Sequence, residues 1–366
     1  MKKVIGLAAL AVISTAAQAE MAMPKIYGKL TKNYMHVDQE SSFNRKSTPG
    51  LVDTDNSESR LGAKGHYEIN SSLTAKYSLE LGLNSAANND GTGTSGRIRI
   101  RLAKIDMVSK FGTLTLGQDY TADSLSMLKV DTFSGTVASG VGADYAAYVA
   151  GTQSGIGFKY RSRKDQVKYA TPVFAGVQYT VSVDKNDNRS NNPAATSPEV
   201  YAPTYTTHLL SFDKKMDAMT LRLQSSLTHW AQASTGDNSN LHFGTVLGFG
   251  NLTFKAGWSK EENESVNSVS TNTDETTRMT LGFTYGMGDH TARLAYYASE
   301  KDAKTSTATT TTEDTQISAG YEYAFHKNVS MNTIVSLLEH TDSSHTATNI
   351  KNNEATVVSV GAVVKF

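Results

Sequence analysis

The sequence contains no cysteine, which excludes disulfide bonds and thiolate metal sites. The absence suits a chain that crosses an oxidising compartment before it folds. Proline is rare, with 6 residues. After residue 13, no stretch approaches the roughly twenty consecutive apolar residues that a membrane-spanning helix needs. A helical membrane protein is therefore excluded.

Neither sign of charge predominates, because 35 Lys and Arg residues balance 35 Asp and Glu residues. A balanced chain has no electrostatic footprint for nucleic acid, so no nucleic-acid partner is implied. The 9 histidines are scattered without metal-ligand spacing, and we predict no metal site and no cofactor. Mean hydropathy is −0.37, and a chain that polar could cross a bilayer only with alternating strands.

The N-terminal residues have the pattern of a secretory signal. Lys2 and Lys3 precede an apolar run over residues 4–13, and Ala17-Gln18-Ala19 follows as a small-x-small cleavage site. The alternative is a membrane anchor or a buried helix, but about ten apolar residues are too few to span hydrocarbon. We predict a signal peptide over residues 1–19, cleaved between Ala19 and Glu20.

Apolar and polar side chains alternate with period two along most of the remaining chain. In residues 73–83, for example, Leu, Ala and Tyr alternate with Thr, Lys, Ser, Glu and Gly. Such a pattern indicates strands with one apolar and one polar face, as in a soluble sandwich or a wide barrel with water inside. Tight turns alternate with long polar loops, which favours the barrel. The pattern predicts sixteen strands, near residues 25–38, 58–69, 72–84, 96–109, 112–118, 155–170, 176–184, 206–214, 218–230, 241–249, 251–261, 276–286, 289–300, 314–326, 328–340 and 355–366.

The predicted fold class is therefore all-β, a 16-stranded antiparallel transmembrane β-barrel over residues 20–366. Sixteen strands enclose an aqueous channel rather than a side-chain core. One long connection, about residues 118–154, is rich in apolar residues, and we expect this third long loop to fold inward as a constriction. The chain stops at Phe366, an aromatic expected on the final strand of such a barrel as a signal for its assembly.

Several short motifs resemble those of the trimeric general-diffusion porins of the Gram-negative outer membrane. They are Ile26-Tyr27-Gly28-Lys29, Ser59-Arg60-Leu61-Gly62-Ala63-Lys64-Gly65, Phe111-Gly112-Thr113-Leu114-Thr115-Leu116-Gly117-Gln118, the run from Val167 to Gly176, and Phe366. The resemblance implies a bacterial outer-membrane homotrimer in contact with lipid and lipopolysaccharide. It also implies passive diffusion of small hydrophilic solutes and ions, with no reaction catalysed. Lys32 falls on the apolar face by parity, and we expect it at the rim or in a subunit contact.

The resemblance also implies a ladder of basic side chains across the pore from acidic residues on the third long loop. Matching motifs place Lys29, Arg60 and Arg101 in the ladder, with Arg161 or Arg163 on the sixth strand. Parity adds Arg99 and Arg97, which share a face with Arg101 and lie opposite Ile98, Ile100 and Leu102. The alternative is that these arginines only keep a polar inner wall hydrated.

The acidic side of the constriction is less well defined, with Asp119, Asp123, Asp131 and Asp144 as candidates. We favour Asp123 and Asp131, against an alternative in which they cap a short helical turn over residues 124–130. If they do not face the arginines, the constriction is net positive and should favour anions.

Two other functions remain open. An outer-membrane enzyme would need a nucleophile partnered by histidine, or paired acids at the rim, and no such grouping is evident. A substrate-specific channel for sugars or oligosaccharides would need inward aromatics, for which Tyr27, Tyr145, Tyr148 and Tyr297 are the candidates.

Overall fold

The computed structural model describes residues 23–39, 50–53, 58–83, 98–140, 156–158, 162–185, 204–232, 235–266, 271–305, 308–343 and 353–366. The predicted signal peptide with its cleavage site at Ala19 and Glu20, and the candidates Arg97, Asp144, Tyr145, Tyr148 and Arg161, lie outside the described residues. Within these ranges, no helix combines the length and the hydropathy that crossing a bilayer requires.

The described residues form seventeen strands and one short helix. The strands are β1 (Lys25–Gln39), β2 (Gly50–Val52), β3 (Ser59–Asn70), β4 (Leu73–Leu83), β5 (Ile98–Ser109), β6 (Gly112–Tyr120), β7 (Arg163–Ala170), β8 (Val177–Lys185), β9 (Thr204–Met216), β10 (Met219–Gln232), β11 (Thr235–Phe249), β12 (Leu252–Val266), β13 (Thr271–Met287), β14 (His290–Lys304), β15 (Thr309–His326), β16 (Val329–Asp342) and β17 (Asn353–Lys365). The helix, α1 (Ser124–Val130), follows β6.

Sixteen of the strands close into an antiparallel barrel, which confirms the predicted fold class. From β3 to β17 each strand pairs with the next, and β1 closes the barrel by pairing with both β17 and β3. The extra strand β2 pairs with β1 at Asn33–Met35, beyond the part of β1 that pairs with β3. Because the barrel closes, it leaves no unpaired sheet edge that hydrocarbon would have to cover.

The two faces of the barrel differ as the alternation predicts. Large apolar side chains such as Leu223, Phe254 and Ile317 are between 45% and 48% exposed on one face. Their neighbours in sequence, Gln224 and Gln316, are nearly fully buried on the other face. This division is typical of a barrel that contacts lipid on its outer face and is lined by polar groups on its inner face.

Several strands differ in length from the prediction. The strand predicted from residue 155 begins only at Arg163, whereas the one predicted from residue 241 begins at Thr235. Backbone hydrogen bonds do not require apolar side chains, so strands continue into polar sequence that the alternation could not identify. Tight turns fall where the sequence predicts them, including Gly250-Asn251, where Gly250 has a φ of 56°.

The predicted position of Leu102 is wrong because β5 contains a bulge. Glu80 of β4 opposes Leu102, but Leu81 opposes Ile100, so Arg101 has no direct partner in this register. Alternation reverses at the extra residue. Leu102 therefore pairs with Glu80 across the two strands and shares its polar face. The prediction places Leu102 on the apolar face with Ile100.

Candidate functional site

Arg101 is the centre of a buried charge cluster on β3, β4 and β5. Its guanidinium is fully buried, and Nε donates to Glu80 Oε1 at 2.7 Å while Nη1 donates to Glu58 Oε2 at 2.6 Å. The third nitrogen, Nη2, donates to the Tyr120 hydroxyl at 3.2 Å. Two carboxylates thus compensate one buried cation, which makes its burial tolerable.

Three more of the predicted basic residues surround this cluster. Arg60 Nη1 lies 3.4 Å from Glu80 Oε1, and Arg99, whose side chain is 47% exposed, is ion-paired with Glu58. Arg163 Nη1 donates to the Tyr120 hydroxyl at 3.1 Å, and its guanidinium lies 5.3 Å from the centre of that ring. The structure therefore brings Arg60, Arg99, Arg101 and Arg163 together.

The carboxylates that bind these arginines come from the barrel wall. Glu80 also accepts a hydrogen bond from the Tyr27 hydroxyl at 3.0 Å. Sequence analysis missed Glu58, Glu80 and Tyr120 as members of the cluster. Glu80 could have been found from its parity. It alternates with the apolar residues of β4 that begin at Leu73, and therefore lies on the polar face of that strand.

A second charge cluster lies where β6 ends. Asp119 Oδ2 accepts a hydrogen bond from Lys104 Nζ at 3.1 Å and is ion-paired with Lys168 Nζ at 2.5 Å. Lys104 also pairs with Asp106 at 3.1 Å. We call the faces of β1 and β3 to β7 that carry these two clusters the charged wall.

The segment after β6 begins with the helix α1, at the residues for which sequence analysis considered a helical turn. Asp123 occupies the N-cap position, but its side chain does not bond to the helix backbone. Its Oδ1 instead accepts a hydrogen bond from the Thr121 hydroxyl at 2.7 Å. Asp123 is fully buried.

Asp131, at the C-cap of α1, is held by Tyr297 of β14 and by two residues of its own segment. Its Oδ1 accepts hydrogen bonds from the Tyr297 hydroxyl at 2.5 Å and from the Phe133 amide at 3.1 Å, and Oδ2 accepts one from the Ser139 hydroxyl. Burial raises the pKa of the Asp131 carboxyl, against the effect of these donors and of Lys255. Tyr297 lies on β14, far along the chain from β3 to β5.

Side chains of the facing strands also bind the backbone of this segment. Gln224 Nε2 donates to the Ser126 carbonyl at 2.7 Å, and Lys255 Nζ donates to the Asp131 carbonyl at 2.9 Å. Gln316 Nε2 donates to the Ala138 carbonyl at 2.8 Å. Each of these donors follows or precedes an exposed apolar residue in its strand, so each belongs to the polar face of the barrel.

Four glycines, on β11, β12, β13 and β15, make room for the same segment. A side chain at any of them would collide with a residue of the segment, at Gly244 with Val130, at Gly257 with Phe158 and Val130, at Gly282 with Thr132 and at Gly320 with Phe133. Gly244 and Gly257 are directly paired across β11 and β12. We call Gly244, Gly257, Gly282 and Gly320 the glycine track, and it allows close approach of one piece of chain to another.

Apolar packing completes the contact between the segment and the wall. Phe133, Val137 and Ile156 are almost fully buried in a cluster with Ile334, Leu338 and Val357 of β16 and β17. Met127, Val130 and Phe158 form a second buried cluster. Residues 121–140 and 156–158 are called the packed segment below, and the faces of β10 to β17 that receive them are called the packing wall.

The first and last strands of the barrel, β1 and β17, are joined by backbone hydrogen bonds at Phe366. The Gly28 amide donates to the Phe366 carbonyl at 2.9 Å, and the Phe366 amide donates to the Gly28 carbonyl at 3.1 Å. Lys29, the first residue of the predicted ladder, follows Gly28 and opposes Arg60 across β1 and β3. Lys32 is ion-paired with the buried carboxylate of Asp53, which lowers the cost of placing its charge near lipid.

A closed barrel with an apolar outer face and charged residues on its inner face is typical of the transmembrane β-barrels that cross the bacterial outer membrane. A family model described as Gram-negative porin matches residues 6–343. The chain belongs to the Gram-negative porin family, and its location is the outer membrane.

Individual relatives are distant. The major outer membrane protein P.IB of Neisseria sicca is 26% identical over 190 residues, which cover 51% of this chain and 48% of that protein. The match thus spans about half the length of that relative. The anion-selective porin of Comamonas acidovorans has a TM-score of 0.68 at 19% identity, covering 95% of this chain and 100% of that one. OmpT of Vibrio cholerae, in a trimer form, has a TM-score of 0.62 at 15% identity, covering 94% of this chain and 99% of that one.

Proposed function

We propose that the chain forms a water-filled channel for passive diffusion of small hydrophilic solutes and ions across the outer membrane. The observation that carries the proposal is the closed sixteen-stranded barrel with charged clusters on the face opposite its exposed apolar side chains. A barrel of this size is too wide for side chains to fill. No reaction is part of the proposal.

The packed segment is the constriction of this channel. The hydrogen bonds from Gln224, Lys255 and Gln316 support this assignment, because these side chains belong to the polar face. Solutes then pass between the packed segment and the charged wall. Because Asp123 and Asp131 are fully buried, the fixed charges on this gap are those of the cations on the charged wall, which attract anions and disfavour bulky apolar solutes. Arg60, Arg99 and Arg163 line the gap from the charged wall.

The mature protein is a homotrimer in contact with outer-membrane lipid and lipopolysaccharide. The trimer form of the Vibrio cholerae relative supports this arrangement by analogy of fold. The chain reaches the membrane through the periplasm after cleavage of a signal peptide between Ala19 and Glu20, and Phe366 acts in assembly.

The aromatic ladder of a sugar-specific channel has less support. Tyr297 is fully buried beneath the packed segment, with its hydroxyl on Asp131, and cannot stack on a passing sugar. Tyr27 is the other described candidate, and its hydroxyl is bound to Glu80.

Reconstitution of the purified protein into liposomes and planar bilayers tests the proposal. We expect stepwise conductance, and swelling rates that decline with sugar size without saturating at high sugar concentration. Heat-denatured protein serves as the control. A membrane that stays electrically tight would refute the channel, whereas saturating swelling would indicate a substrate-specific pore.

A further inference from the structure

The seam between β17 and β1 brings two lysines unusually close together. Gly28 and Phe366 exchange both of their backbone hydrogen bonds. In an antiparallel pair the next residues, Lys29 and Lys365, then form a non-hydrogen-bonded pair, in which side chains approach most closely. Two cations are therefore side by side at the point where the barrel closes.

Both lysines lie on the polar face of the barrel. Lys365 has the parity of Ser359, which is 1% exposed, whereas its neighbour Val364 is 41% exposed with the lipid-facing set. Lys29 has the parity of Thr31, which is 2% exposed, whereas its neighbour Leu30 is 49% exposed. Arg60 opposes Lys29 on the other edge of β1, so Lys365, Lys29 and Arg60 form a row across three strands. We call this the cation row.

The carboxylates near the cation row are shared with other cations. Glu80 is shared between Arg60 and Arg101, and Glu58 is shared between Arg99 and Arg101. Glu322 acts on Lys29 from β15, but it is itself ion-paired with Arg293 at 2.7 Å. Like charges directly opposite each other in a sheet are destabilising, and an anion beside them relieves the repulsion.

We infer that the cation row is an anion-attracting step in the channel wall and that its Lys365 member determines how strongly the channel prefers anions. The ligands are chloride and small oxyanions such as inorganic phosphate, because the backbones of neighbouring strands lie about 5 Å apart and the long side chains of the row can reach one small anion. The inference rests on the proposed channel function. It assigns a lumenal role to the penultimate residue, in addition to the assembly role expected of Phe366.

Substitution of Lys365 tests the inference through the reversal potential in a potassium chloride gradient. K365Q should lower the chloride-to-potassium permeability ratio by roughly fourfold, since one unit charge about 10 Å away in water changes the free energies of chloride and of potassium by roughly 0.4 kcal/mol each, in opposite directions. K365R should keep the ratio. K110Q removes the same charge from the exposed turn between β5 and β6, several strands away from the row, and should leave the ratio unchanged. Equal ratios in K365Q and K110Q would overturn the inference.

A second experiment separates selectivity from assembly, and the absence of native cysteine makes it possible. K365C is inserted into a bilayer and then treated with methanethiosulfonate reagents that carry either a trimethylammonium or a sulfonate group. The cationic reagent should restore the anion preference, and the anionic reagent should lower it further in the same open channel. Identical responses to the two reagents would contradict the inference while the conductance itself still supported the channel.

Phosphate provides a third readout. Inorganic phosphate added to one side should reduce the chloride current through the unmodified channel more than through K365Q. An equal reduction in both channels would exclude the row as an oxyanion site.

Discussion

The charged wall and the packing wall belong to the same barrel and share the same alternation, yet their inner faces differ in kind. On the charged wall the inward residues are long and charged, such as Arg99 and Arg163. On the packing wall the residues that contact the packed segment are mostly glycine, amide or apolar residues, such as Gly257, Gln316 and Val357. The first set suits a surface that meets water and ions, whereas the second suits a surface that meets polypeptide.

The comparison shows that an inner barrel face is not defined by polarity alone. Where backbone must approach the wall, the sequence removes side chains at the glycine track and supplies amide and lysine donors for the carbonyl groups of the segment. Buried carbonyl groups need such partners. Each wall is thus complementary to what lies beside it.

The largest effect is expected from Arg101 on the charged wall. R101M leaves the carboxylates of Glu58 and Glu80 buried without their main cation, and we expect it to destabilise the barrel by about 3–5 kcal/mol. Urea unfolding in detergent micelles, followed by tryptophan fluorescence, measures the change.

The neighbouring R99S is the matched control. Arg99 binds the same Glu58 but is 47% exposed, so its loss should cost no more than about 1 kcal/mol while shifting ion preference toward cations. If R101M and R99S were equally mild, the charged wall would owe its structure to something other than the buried cluster.

On the packing wall, the sharpest change fills the glycine track. G257V would place methyl groups where Phe158 and Val130 lie, and overpacking of this kind costs about 1–3 kcal/mol. We also expect noisier single-channel currents, because the packed segment loses its fit. The control is G286A, at a position with open space beside it. Unchanged current noise in G257V would mean that the segment does not border the conducting path.

A smaller change removes one hydrogen bond from the same wall. Y297F keeps the ring between Gly140 and Gly157 but deletes the hydroxyl that donates to Asp131, at a cost of about 1–3 kcal/mol. Thermal unfolding in detergent measures this loss. Y34F, at an exposed tyrosine of β1, is the control and should leave the midpoint unchanged.

The sequence was sufficient to predict the barrel because alternation reports which face each residue occupies. It also grouped Arg60, Arg99 and Arg101, since parity and motifs act over short distances along the chain. It could not supply Tyr120 or the bond between Asp131 and Tyr297, because that bond joins residues 166 positions apart. Nor could it detect the bulge at Arg101. This one residue has no partner in the register of β4 and β5, and it reverses the alternation without a local signal such as glycine or proline.

The glycine track shows why the packed segment was harder to place than the strands. A single glycine in a strand is ambiguous between a bulge, a turn and a site of close approach. Gly244, Gly257, Gly282 and Gly320 acquire a common meaning only when the register aligns their strands. Register is a property of the folded barrel, so sequence analysis could predict only that residues 118–154 fold inward.

The smallest effect concerns pH and again distinguishes the packing wall from the charged wall. Burial raises the pKa of Asp131 above its ordinary value of 3.8, so the folded protein retains this proton to a higher pH than the unfolded chain does. The sign follows from linkage: the stabilising contribution is fully present below the unfolded pKa and is lost as pH rises through the folded pKa. The difference in thermal midpoint between the native protein and D131N should therefore favour the native protein more at pH 4 than at pH 8. D217N, in the exposed turn between β9 and β10, should show no such trend. A midpoint difference that stayed constant with pH would mean that the Tyr297, Ser139 and Phe133 donors stabilise the ionised carboxylate enough to cancel the cost of its burial.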